Sequence, residues 1–397
     1  MTGTNRTAPP TGTTAPAPGT TVPAAGATAW TALPDTTAPV PAAGTPVAAL
    51  EHAARARLPA PVFDFIAGGA DDEVTVRRNV AAYERIGLVP RVLRGAVPDL
   101  STTLLGTPTS LPVVIAPTGM HKLAHPDGEI ATARAAAGAG ALMIVSMAAT
   151  VAVEQIAAAG AGGPGLWFQL FVQPDVDFTL SLVRRAERAG CRALVVTVDA
   201  AVFGNRERDI RNGFTDLPEG LCCEHMRVPG DDGAPGHVRP IAFVPGLGWD
   251  HVARLRDATG LPIVLKGVMH PDDAALAIDR GIDGLIVSNH GGRQLDGAAA
   301  TIEVLAEVAA AVGGRVPVLV DGGVRRGTDV VKAAALGATA VGIGRPVLWG
   351  LAVAGAAGVT HVLETMRAEV HRALALCGCA TLADVGPSLV RSHALPC

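Results

Sequence analysis

From Val113 onward, short apolar runs alternate with alanine-rich stretches of mixed polarity. The runs are Val113–Ala116, Ala141–Ser146, Leu166–Phe171, Ala193–Val198, Pro262–Lys266, Gly284–Val287, Val316–Val320 and Ala340–Ile343. A run such as Gly284-Leu285-Ile286-Val287 is apolar at successive positions, the pattern of a strand buried on both faces of a parallel sheet. With one exception, each run follows the last by about 20–30 residues, the pitch of a strand plus a helix. Eight such units predict an α/β fold of the (β/α)8 type, a TIM barrel.

The exception is the stretch from Asp199 to Leu261. Residues 213–248, rich in Pro, Gly and Asp, predict an extended, lid-like loop after the fourth strand, over the catalytic face. Ahead of the barrel, residues 45–112 form an N-terminal segment with helical stretches at Pro46–Arg57 and Phe63–Gly69. Residues 1–44 are Thr, Ala, Pro and Gly with almost no charge, and predict a disordered tail. Residues 45–397 are then one barrel domain, with its last helices at 347–385.

Composition narrows the function. The net charge is −4, and 17% of the residues are charged. There is no basic stripe to suit nucleic acid. No apolar run in the sequence approaches the roughly 20 residues of a membrane span, and the N-terminus lacks a signal-peptide core. These features point to a cytoplasmic enzyme. The six cysteines do not show the spacing of a zinc module, so free thiols and no metal are expected.

Barrel enzymes carry their chemistry at the C-terminal ends of the strands. After the sixth run comes Ser288-Asn289-His290-Gly291-Gly292-Arg293-Gln294-Leu295-Asp296-Gly297. His290 can move a proton near neutral pH, and Arg293 can grip a carboxylate with its planar fork. The seventh and eighth runs end in Asp321-Gly322-Gly323-Val324-Arg325 and Gly344-Arg345-Pro346. Paired glycine-rich turns there form the usual barrel phosphate site. Backbone N–H groups around Gly323 and Gly344, with Arg325 and Arg345, would hold the dianion. Lys266, ending the fifth run, needs a negative partner if buried.

The ten-residue string from Ser288 resembles the active-site signature of the FMN-dependent 2-hydroxy acid oxidases and dehydrogenases, and the likeness extends from about Pro46 to Pro387. It implies an FMN cofactor and oxidation of a 2-hydroxy acid to the 2-oxo acid. His290 would be the base, taking either the hydroxyl or the Cα proton, with Asp199 as its carboxylate partner. That pairing is expected to raise the pKa of His290. Arg293 and Arg206 would clamp the substrate carboxylate, and Lys266 would stabilise negative charge on the reduced flavin. Pro117, Thr118 and Gly119 would lie along the flavin, with Ser146 and Ser288 nearby. Gln169 and Thr197 would bond its pyrimidine edge. Asp321, Gly323, Arg325, Gly344 and Arg345 would hold its ribityl chain and phosphate. A homotetramer and an electron acceptor, oxygen or a carrier, are further expectations of the resemblance.

The chain departs from the family's pattern at two tyrosines. Phe65 and Phe171 stand where hydroxyls commonly contact the substrate, and Met147 follows Ser146 where a small polar group is common. The expected pocket is more apolar than a glycolate oxidase's and suits a bulky or aromatic, mandelate-like acid. Two rival readings are a flavin-binding barrel with altered or lost turnover, and a barrel enzyme for another phosphate ligand. The second leaves Lys266 and Gln169 unexplained.

Overall fold

The computed structural model describes residues 41–42, 44–228 and 236–392. Most of the expected tail, and residues 229–235 of the expected lid, lie outside the described residues.

Eight parallel strands close into a barrel. They are β1 (Val113–Ile115), β2 (Met143–Ser146), β3 (Leu166–Leu170), β4 (Leu194–Thr197), β5 (Ile263–Val268), β6 (Gly284–Val287), β7 (Val318–Val320) and β8 (Ala340–Ile343). Each coincides with an expected apolar run to within two residues at either end. Neighbours in sequence are neighbours in the barrel, and β8 pairs with β1 to close it.

Alternation along the strands sorts side chains into layers, because successive Cβ atoms point to opposite faces. The inward apolar layer takes one residue from each strand: Val114, Ile144, Trp167, Val195, Val264, Ile286, Leu319 and Ala340. Leu104, from the short hairpin Thr102–Leu104/Thr107–Thr109, packs against this layer. Two residues further along each strand the same parity gives Ala116, Ser146, Gln169, Thr197, Lys266, Ser288, Asp321 and Gly342. This second layer is largely polar and forms the floor of the catalytic face. The outward residues of the strands bury against the surrounding helices in one large cluster.

Three helices precede the barrel: α1 (Val47–Arg55), α2 (Ala60–Ala67) and α3 (Val74–Glu84). The first two match the expected stretches; α3 was not expected from the sequence. Its β-branched start Val74-Thr75-Val76 is a weak helix former. Its entry residue Glu73 is left-handed, and no local side chain caps it. The cap comes from Asp296, whose two carboxylate oxygens accept the N–H groups of Val74 and Thr75 at 3.1 and 2.7 Å. A carboxylate there also suits the positive end of the helix dipole.

The long connection after β4 is built from short elements among its described residues. It contains the short helix Glu207–Arg211 and a two-stranded ladder, Arg227–Val228 with His237–Val238. His225 pins it to the barrel: its Nε2 accepts the Val153 N–H at 2.9 Å, and its Nδ1 lies 3.2 Å from the Met147 carbonyl. Burial, reinforced by the charge of Arg185, pulls its pKa down to about 4, so the ring is neutral and bridges the two groups.

The closing helix, Arg345–Cys377, is long and apolar enough to cross a membrane by composition. It is mostly buried against α1 and the helix Gly128–Gly138, and it breaks at Ala354–Gly355. Its apolar length is that of a core helix. Among the described residues, five cysteines are free thiols and no cluster of candidate ligands could hold a metal ion.

Removing the remote cap should loosen the N-terminal segment. Asp296→Ala is expected to cost about 1–2 kcal/mol, read as a lower denaturant midpoint, with earlier hydrogen exchange concentrated in α3. An unchanged midpoint and unchanged α3 protection would contradict this role.

Candidate active site

The polar floor is wired as two short relays. On one side, Ser146 Oγ donates to Gln169 Oε1 at 3.0 Å, and Gln169 Nε2 donates to Thr197 Oγ1 at 2.9 Å. On the other, Lys266 Nζ donates to Ser288 Oγ at 2.9 Å, and Ser288 Oγ donates to Asp321 Oδ1 at 2.6 Å. Asp321 Oδ2 lies 3.6 Å from Lys266 Nζ and supplies the anionic partner that a buried ammonium requires. Ser288 is wholly buried and does not line the cavity, so it acts through Lys266 and the His290 N–H, which it accepts at 3.1 Å.

Above the floor lies a cavity of about 1130 Å³. His290 and Asp199 meet at its edge, Nδ1 to Oδ1 at 3.0 Å. This contact fixes the Nδ1–H tautomer and leaves Nε2 for the cavity. Gly267 makes room for it. Gly267 has φ +106°, and a Cβ there would sit 2.6 Å from both Cβ and Cγ of Asp199. The register of β5 against β6 also shifts at this point.

The electrostatics of the pair correct one expectation. Asp199 was expected to raise the pKa of His290, and taken alone it does. Burial is the larger effect, however, and with the charges of Lys266 and Arg206 it brings the net pKa below the ordinary imidazole value. Burial works against ionisation of Asp199 too, but His290 and Lys266 outweigh it and hold the carboxyl low. The pair is thus a neutral imidazole on an ionised carboxylate, the state a proton acceptor needs.

Three arginines converge near this edge. Arg293 Nη1 donates to the carbonyls of Phe65 and Gly68 at 2.7 and 2.9 Å, and its guanidinium lies 5.0 Å from the Phe65 ring centroid. Arg206 stacks on Phe203 at 4.3 Å, and its buried Nε has no partner. Burial and the Arg293 charge both press against its cationic form. An unpaired guanidinium beside an open cavity is a receptor for an anion.

Arg345 is differently engaged. Its three guanidinium nitrogens donate to the carbonyls of Ile66, Gly291 and Gly68 at 3.1, 2.9 and 2.7 Å. Its side chain therefore ties α2 to the signature loop. Toward a phosphate it has its backbone N–H to offer, at the start of the closing helix. Arg325 carries the freer guanidinium, with one bond to the Val324 carbonyl at 2.9 Å and the Trp349 ring at 5.0 Å.

Pro117, Thr118, Gly119, Gly323 and Gly344 also line the cavity. A cavity of this size suits a flavin mononucleotide together with a small acid. The Ser146–Gln169–Thr197 relay and Lys266 would give the ring polar partners, and the glycine-rich turns with Arg325 would receive the phosphate.

The cavity is rich in aromatic lining, and most of it was not anticipated. Phe65 and Phe171 were expected there. Phe203, Phe214 and Phe243, all from the connection after β4, join them. Phe65 packs on Phe214 at 4.8 Å. Phe171 meets Phe243 edge-on at 5.2 Å and lies parallel to His290 at 6.1 Å. Five of the chain's eight phenylalanines therefore line one cavity, a concentration visible only once the loop is folded. Met147 turns its sulfur to the Phe171 N–H, 3.0 Å away.

Comparison with known proteins agrees with this geometry. A family model described as FMN-dependent dehydrogenase matches residues 54–392. An L-lactate oxidase of Nostoc sp. is 47% identical over 351 residues, covering 86% of this chain and 96% of that protein. The glycolate oxidase of Spinacia oleracea is 47% identical over 352 residues, covering 86% and 93%. Among solved structures, a mandelate oxidase with (S)-2-phenylpropionate superposes with a TM-score of 0.81 at 44% identity, covering 88% of this chain and 99% of that one. The chain belongs to the FMN-dependent dehydrogenase family, and is an FMN-dependent enzyme of 2-hydroxy acid oxidation.

Proposed function

We propose that the substrate is a bulky or aromatic 2-hydroxy acid, with His290 as its base and Arg206 and Arg293 as its carboxylate clamp. The observation that carries this reading is the buried, unpartnered Nε of Arg206, set beside a neutral His290 in a cavity lined by five phenylalanines. The mandelate oxidase structures, one of them with benzoyl-formic acid, favour an aromatic acid. The relatives named for lactate and glycolate share the same framework.

The residues divide the work by chemistry. Arg206 and Arg293 neutralise the carboxylate and orient Cα. His290 Nε2 accepts the proton released as the alcohol is oxidised, and Asp199 stabilises the imidazolium that forms. Bound FMN supplies the acceptor for the two electrons. Lys266, paired with Asp321, would compensate negative charge added to the bound flavin. Gln169 and Thr197 give the flavin edge hydrogen-bonding partners, and Arg325 gives the phosphate a cation. The phenyl walls exclude water and select the acid's side chain.

Size selectivity follows from area. An aromatic acid buries some 60–80 Å² more apolar surface than glycolate, at about 25 cal/mol per Å², for roughly 1.5–2 kcal/mol. kcat/KM for mandelate should therefore exceed that for glycolate by at least about tenfold. An anaerobic screen of 2-hydroxy acids for flavin bleaching tests both the activity and the ranking. A preference for glycolate would overturn the aromatic reading.

The depressed pKa of His290 sets a pH dependence. The base works when neutral, so flavin reduction should hold its plateau below pH 6.5, the ordinary imidazole value, and fall only as pH drops through the lower one. Asp199→Asn removes a contribution that raises this pKa. The acid limb should move to still lower pH, while the plateau rate falls by up to about 10⁴-fold because the imidazolium has lost its partner. A limb that moves to higher pH would contradict this assignment.

Cofactor retention tests the turns after β7 and β8. Arg325→Glu should lose the yellow cofactor on dialysis, since the phosphate would face a carboxylate in place of a cation. Unchanged FMN affinity would remove Arg325 from the phosphate site.

A further inference from the structure

Helix α3 carries none of the reacting groups, yet it is bonded directly to the loop that does. Asn79, in its second turn, is 1% exposed. Its Nδ2 donates to Asn289 Oδ1 at 2.8 Å, and its Oδ1 accepts from Asn289 Nδ2 at 2.8 Å. The two amides close a ring of two reciprocal hydrogen bonds. Most of their remaining capacity is also used. Asn289 Nδ2 donates to the Ala299 carbonyl at 3.0 Å, Asn289 Oδ1 accepts the Gly292 N–H at 3.2 Å, and Asn79 Oδ1 accepts the Thr301 N–H at 3.4 Å. The pair therefore spans the signature loop from its first turn to its exit. The turn after β7 also closes on Asn79, where a Cβ on Gly323 would collide with the Asn79 carbonyl.

The next residue after Asn289 is His290, which has φ +58°. A left-handed non-glycine residue is strained and persists only where its surroundings over-determine it. This turn brings the imidazole to Asp199, on the loop after β4, at 3.0 Å. Two fixtures flank it: Ser288 Oγ, holding the His290 N–H at 3.1 Å, and the Asn289 amide, held by Asn79.

We propose that Asn79 is a positioning residue for His290. Its amide ring with Asn289 fixes the left-handed His290 backbone, keeping Nδ1 on Asp199 and Nε2 over the cavity. The proposal rests on the reading of His290 as the base. The ring needs one donor and one acceptor on each partner, which only an amide supplies at this spacing. Asn79→Leu removes both bonds, whereas Asn79→Asp keeps the shape but sets an acceptor against Asn289 Oδ1.

The test uses the purified holoenzymes of Asn79→Leu, Asn79→Asp and His290→Ala. Anaerobic rapid mixing with racemic mandelate and racemic lactate gives the limiting rate of flavin reduction per bound FMN. Spectral titration gives the dissociation constant for phenylglyoxylate. The limiting rate should fall roughly 10–100-fold in both Asn79 variants. Phenylglyoxylate binding should stay within about threefold, because Arg293 keeps its own anchors on Phe65 and Gly68 and Arg206 does not touch Asn79. If Asn79→Leu fails to fold, the near-isosteric Asn79→Asp decides. Reduction within twofold of wild type overturns the proposal. So does a parallel loss of rate, product binding and FMN retention, which marks general structural support. If His290→Ala reduces normally, it is the underlying reading of the base that fails.

Discussion

Everything at the catalytic face depends on the parity of eight short strands. A strand that points one residue inward points the residue two along inward as well. In this barrel the first such layer is apolar and fully packed, from Val114 round to Ala340. The next contains Ser146, Gln169, Thr197, Lys266, Ser288 and Asp321. The polar layer is tolerable because each member finds a partner in a neighbouring strand, and because the apolar layer beneath keeps water from approaching from below. A one-residue slip in any strand would turn its polar member outward into the helix layer and break a relay. Small residues at Ala116 and Gly342 complete the ring and leave open space over one side of the floor.

Burial then sets the charge states that the chemistry needs. A solvent-exposed His beside an Asp would be pushed toward protonation. Here burial outweighs the carboxylate, and the imidazole stays neutral and ready to accept a proton. Lys266 keeps its place through Asp321 and Ser288. Arg345 and Arg293 discharge much of their hydrogen-bonding capacity on backbone carbonyls of the α2 region, so the N-terminal segment is part of the site's scaffold. Arg206 alone keeps a buried, unpaired guanidinium nitrogen among these arginines. That residual cost is one an anionic substrate can relieve.

The aromatic lining of the cavity has a different origin. Phe65 comes from α2 and Phe171 from the end of β3. Phe203, Phe214 and Phe243 come from one long connection. The sequence marks this connection only by its Pro, Gly and Asp content, which says loop and nothing of where its aromatic residues point. Its path is set by contacts with distant residues. Arg208 pairs with Asp64 and Glu73, Asn205 bonds Asp71 at 2.8 Å, and His225 bridges to Val153 and Met147. The same connection carries Arg206, so this guanidinium and the aromatic wall are positioned together.

Local patterns in the chain were enough to specify the barrel, the strand that ends at each reacting residue, and the kinds of group presented there. Apolar runs and their spacing are short-range signals, and the inward parity of Gln169, Thr197, Lys266 and Asp321 follows from them. Which of those groups would be free to act was settled by folding. Arg325 and Arg345 look alike beside their glycines, yet one is left largely open and the other is spent on three carbonyls. Helix α3 had no local start signal because its cap, Asp296, lies more than 200 residues away. Asn79 was an ordinary polar residue until Asn289 closed against it. In each case the deciding term is a contact between segments far apart in the chain, or the burial that such contacts create, and neither is written in any local pattern.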